Sequence, residues 1–167
     1  WLDTMPGDAD YTRPWSDPYN PLYAAKLLKV TRAILAENKE TMQLLRGCAN
    51  GEILQIAPAK QSGTPDNRTK VRIPFNVRIH YMVGNHDWYY HLKGADFDQI
   101  RQEIIDTMGL QNTTAPFPHT VDEDPMLKDL FERYNVYGTH GDLYDAFNFD
   151  REKGRDYSTV GDAFTMD

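Results

Sequence analysis

The residues from Tyr81 to Trp88 read Tyr-Met-Val-Gly-Asn-His-Asp-Trp. Directly after a glycine they set an amide, an imidazole and a carboxylate side by side: Asn85, His86 and Asp87. An Asn side chain can give a cation a neutral oxygen. A His exchanges a proton near neutral pH, and an Asp can orient an imidazole by accepting its N–H. A loop needs none of these three groups merely to turn. A second stretch has the same pattern. Val136–Asp142 reads Val-Tyr-Gly-Thr-His-Gly-Asp, and it delivers His140 and Asp142 after another glycine, with His140 55 residues beyond Asn85.

Such groups need elements to position them. Val77, Ile79, Tyr81 and Val83 alternate with Arg78, His80 and Met82, which predicts a strand stopping at Gly84. A second strand is predicted at Asn135–Gly138. Polar groups released at strand ends are how α/β enzymes build sites. Asn20-Pro21 is a helix start, and apolar residues then recur at helical spacing from Ala24 to Leu45, so a helix is predicted over 21–46 with its end at Gly47. Asn50-Gly51 signals a turn. A hairpin is expected from Glu52–Ala57 to Lys70–Phe75. Asp96–Leu110 reads as a helix capped by Asp96 and ended by Gly109, and Pro125–Tyr134 as a shorter one. Residues 4–20 and 111–124 read as loops, with His119 at the surface. A last helical turn is expected at Asp162–Asp167. Trp88, Tyr89, Tyr90 and His91 form an aromatic run that either packs or stacks on a ligand.

Gly-Asn-His-Asp after a hydrophobic strand, followed later by His-Gly-Asp, resembles the third and fourth signature blocks of the calcineurin-like metallophosphoesterases. The resemblance covers the middle of that family's catalytic domain. Its Asp-x-His and Gly-His-x-His blocks have no counterpart in this sequence. Gly141-Asp142-Leu143-Tyr144-Asp145 matches the second block, Gly-Asp-x-x-Asp, by letters but stands in the wrong order. Trp1-Leu2-Asp3 would complete that block if Gly-Asp stood before Trp1. The resemblance implies a layered α-β-β-α sandwich, incomplete here, in one truncated domain spanning 1–167. It implies a metal-dependent phosphoesterase acting on phosphate mono- or diesters through two divalent ions, Mn²⁺ first, with Fe, Zn, Ni or Mg as alternatives. Asn85 and His140 would ligate one ion and His86 would protonate the leaving group. Asp3 would hold the His86 ring, while Asp87 and Asp142 would accept imidazole N–H groups. The alternative is a non-catalytic domain of the same scaffold that binds a partner or a phosphorylated ligand.

Composition agrees with a folded globular domain. The chain has 167 residues, 40% hydrophobic and 26% charged, enough for a buried core. Its net charge of −7 disfavours broad binding to nucleic acid. Phosphate substrates remain open, because bound dications reverse the local field. A single cysteine, Cys48, excludes an internal disulfide and reads as a small buried residue. Residues 60–78 carry Lys60, Arg68, Lys70, Arg72 and Arg78 against Asp66, and read as a solvated hairpin rather than a substrate patch. No apolar run is long enough for a membrane span, and a cytoplasmic location is expected.

Overall fold

The computed structural model describes residues 1–166. Asn20 caps the first helix, α1 (Pro21–Glu37), by accepting the Leu22 N–H at 3.0 Å. The predicted single helix over 21–46 is two helices, because Asn38 interrupts it. Both the backbone N–H and the side-chain amide of Asn38 bond to Ile34 O, at 3.1 and 2.9 Å. This local competition with the helical ladder is the usual reason Asn breaks helices. The chain restarts as α2 (Lys39–Ala49), which carries Gly47 inside it and ends at Asn50. Cys48 is only half-buried.

The hairpin exists in short form. β1 (Gln55–Ile56) pairs antiparallel with β2 (Ile73–Pro74). It is the one sheet among the described residues, and its four residues are exposed. α3 (Ala95–Met108) starts at Gly94 rather than at a capping Asp96, and Gly109 ends it in the left-handed region at φ 74°. α4 (Pro125–Tyr134) has the predicted bounds. Asp124 caps it by accepting the N–H of Met126 and Leu127. α5 (Val160–Met166) begins before the predicted turn, and Asp167 lies outside the described residues.

Neither motif-bearing segment is a sheet strand, which corrects the expectation for both. Val77–Val83 is extended and partly bonded to the segment around 111–118. Gln111 N donates to Ile79 O at 2.8 Å and Val83 N to Pro118 O at 3.0 Å. Between these bonds the Asn112 side chain stands in for a strand, accepting from Tyr81 N at 2.7 Å and donating to Tyr81 O at 3.0 Å. The partner segment contains Pro116 and Pro118, which have no N–H to give, so no ladder forms. Asn135 takes the left-handed conformation at φ 50° as it caps α4. Val136 and Tyr137 then project into solvent with no strand beside them. The layered sandwich is therefore not visible within these residues; the chain is mainly helical with one small sheet.

The core lies between α1, α3 and the segment that carries Gly-Asn-His-Asp. Tyr23 and Leu27 of α1, Phe97, Ile100 and Ile104 of α3, and Val83, Trp88, Tyr89, Tyr90 and Phe117 are all buried together. Each such side chain contributes roughly 1.5–3 kcal/mol by leaving water. The aromatic run thus packs. Tyr89 and Tyr90 meet edge to face at 4.9 Å, and the Tyr90 hydroxyl bonds to Thr31 at 2.8 Å. Arg101 is wholly buried. Its guanidinium binds the carbonyls of Tyr90, Leu92 and Thr114 at 2.7–2.8 Å and the carboxylate of Asp98. It fastens the chain after the motif to α3.

Candidate active site

Asp87 builds the turn that presents the motif. Its carboxylate accepts the Gly84 N–H at 2.6 Å and the Tyr81 hydroxyl. It touches neither His86 nor His140, so the expected role of holding an imidazole gives way to closing the loop. Burial, and then the Asp87 charge, push the Tyr81 phenol well above its ordinary range, so Tyr81 stays a hydrogen-bond donor. Trp88, Tyr89 and Tyr90 follow in a 3-10 turn and lock the loop to the core.

Asn85 is buried. Both hydrogen bonds of its amide come from Nδ2, to Asn148 Oδ1 at 3.0 Å and to His86 Nε2 at 3.2 Å. That leaves Oδ1 as a neutral oxygen ligand. His86 is half-exposed, and its Nδ1 lies 2.9 Å from Oδ1 of Asp162. Asp162 is completely buried, and its other oxygen accepts the Thr159 N–H at 2.8 Å. Nδ1–H donating to Asp162 leaves Nε2 as the free nitrogen, which matches its position as acceptor from Asn85.

Asp3 is elsewhere. Its carboxylate is paired with the ammonium groups of Lys26 and Lys29 on α1. The expected Asp3–His86 pair is thus replaced by Asp162–His86. The physical reason is local: two lysines one helical turn apart on α1 give a carboxylate near the start of the chain a stronger partner than one imidazole. No spacing rule in the sequence pointed to Asp162, which lies 76 residues beyond His86.

His140 does come to the motif loop. A Cβ built on Gly84 would lie 2.5 Å from both Cδ2 and Nε2 of the His140 ring. The glycine of the first block is therefore the floor on which the histidine of the second block rests. Asp142 stands 3.7 Å from His140 Nδ1, beyond hydrogen-bond distance. Its main partner is Arg155, held through two bonds of 2.9 and 3.2 Å. Arg155 also donates to His119 O at 3.1 Å. His119, expected at the surface, is buried.

Asn85 follows Gly84 in the chain and the His140 ring rests on Gly84, so an amide and an imidazole, ligand types that one ion could take, are attached at or seated on one glycine. Among the described residues, no three His, Cys or carboxylate groups gather around His140 at ligating distances. Compared with protein-family models, curated proteins and solved structures, the chain matches none.

Proposed function

We propose that this chain is part of a metal-dependent phosphoesterase, with Asn85 and His140 holding one ion and His86 moving the proton. The observation that supports this most is the seat of the His140 ring on Gly84. Two sequence blocks 55 residues apart, each weak alone, share one location in space. In the full reading, the domain is an α-β-β-α sandwich, and a dinuclear centre needs more ligands than Asn85 and His140.

Ions bound there would clamp the phosphoryl oxygens and lower the pKa of a bound water. The residues of this chain supply the rest. Asp162, dry and fixed by Thr159, orients the His86 ring. His86 Nε2 is then the atom that gives a proton to the departing oxygen. In the neutral ring this nitrogen accepts from the Asn85 amide at 3.2 Å, so it carries the proton only when that contact opens.

The test is hydrolysis of an aryl phosphate monoester and diester, with Mn²⁺ added. It compares the 167-residue chain with a polypeptide that carries this segment and the missing ligand blocks. The longer protein is expected to turn over in a metal-dependent way, and the chain alone to show little activity. His86→Ala in the longer protein should lower turnover about 10²–10⁴-fold. Metal-independent or absent turnover in the longer protein would remove the reading. Strong turnover by the chain alone would contradict the ligand count.

A further inference from the structure

Away from that site, His91, His119 and Asp156 converge. One ligand atom from each lies within 4.8 Å of the other two. The two imidazoles stand 4.3 Å apart between ring centres, and His119 Nε2 lies 2.8 Å from Oδ1 of Asp156. We propose that these three side chains form a mononuclear site for a borderline divalent cation such as Zn²⁺, independent of Asn85 and His140.

Three features argue for a ligand set rather than ordinary packing. First, His91 Nδ1 donates to the carbonyl of Phe117 at 2.8 Å. This fixes the tautomer and leaves Nε2 with its lone pair bare, which is how a ligating histidine is usually held. Second, His119 is 4% exposed, and its Nδ1 has no hydrogen-bond partner among the described residues. A core histidine kept for packing alone would have both nitrogens satisfied, since an unpaired buried polar group is costly. Third, the local charge suits a dication. Glu123 accepts the His119 backbone N–H at 2.8 Å, and its carboxylate lies 3.9 Å from His91 Nδ1. The nearby Arg155 is already neutralised by Asp142.

The site is also reachable. His91 and Asp156 line a cleft of about 930 Å³ bounded by Trp15, Tyr157, Lys93 and Lys153. Three protein ligands with a fourth position open to a cleft is the usual layout of a reactive zinc site. Ligand atoms around a tetrahedral ion lie about 3.3 Å apart, so small side-chain rotations close the present spacing. Two imidazoles and one carboxylate favour Zn²⁺, Co²⁺ or Ni²⁺ over Mg²⁺ or Ca²⁺.

Titrating the metal-stripped 167-residue chain with Co²⁺, followed by its visible absorption, tests this, with Zn²⁺ as competitor. One equivalent is expected to give the intense bands of low-coordinate Co²⁺, and Zn²⁺ should displace it. Asp156→Asn, isosteric and at a partly exposed position, should weaken binding at least about tenfold, as should His91→Ala. His140→Ala should leave these bands unchanged. Zn²⁺ should raise the melting temperature of the unaltered chain but not of Asp156→Asn, a readout that does not depend on colour. Binding that survives both Asp156→Asn and His91→Ala overturns the proposal. So does binding that disappears with His140→Ala.

Discussion

Gly84→Ala isolates the contact that joins the two sequence blocks. Gly84 is not in the left-handed region, so alanine carries no backbone strain there, and the Gly84 N–H can still reach Asp87. What changes is space. The new methyl would meet Cδ2 and Nε2 of His140 at 2.5 Å, whereas an ordinary contact begins near 3.4 Å. The ring is half-exposed and attached by rotatable bonds, so it swings away and the fold survives. Nε2, the ligand in the proposed function, withdraws by about 1 Å, and a misplacement of that size at a reacting centre costs about 10²-fold in rate. Under the proposed function, Gly84→Ala in the longer polypeptide should therefore lose about two orders of magnitude in metal-dependent turnover. Its melting temperature should stay within about 2–4 °C of the parent, equivalent to at most about 1 kcal/mol. Gly84→Ser should behave the same way. The assay is aryl phosphate hydrolysis at saturating Mn²⁺, with the melt run on the same samples. Full turnover and unchanged metal affinity in Gly84→Ala would show that His140 does not work where Gly84 seats it.

Asp162→Asn should lower turnover, and adding it to His86→Ala should cost little more, because the two act as a unit; full additivity in the double variant would refute the pair. Asp3→Asn should leave turnover intact but destabilise by more than about 1 kcal/mol, because it takes the carboxylate from the buried Lys26 ammonium. Arg101→Met strips partners from three backbone carbonyls, at about 1–3 kcal/mol for each one left buried, and should be clearly destabilising in urea unfolding, while the half-exposed Asp98 returns to water. His80 is depressed below its ordinary value, first by burial, and neither ring nitrogen has a partner among the described residues. The unfolded chain therefore takes up the proton first. The contribution of His80 is intact above its unfolded value near 6.5 and is lost as pH falls from there toward its folded value. His80→Leu should flatten that part of the stability–pH curve, measured by urea midpoints between pH 7 and pH 5.

The sequence by itself determined what local chemistry decides. Asn20-Pro21, Asp124-Pro125 and Gly109 set helix ends because a cap or a left-handed glycine acts within one turn. The hairpin joining β1 and β2 was legible for the same reason. The motif residues Asn85, His86 and His140 could be named from type and spacing alone. Only the tertiary structure decided what each of them faces. The alternation in Val77–Val83 was real, yet a strand also needs a partner with N–H groups, and Pro116 and Pro118 withhold them. The partner of His86 was chosen among distant carboxylates: Lys26 and Lys29 claimed Asp3, and buried Asp162 took its place. Asp142 went to Arg155 for the same reason, since a guanidinium offers a carboxylate two parallel bonds where an imidazole offers one. Pairing across tens of residues is settled by which charges the folded chain brings together, and no spacing in the sequence records that.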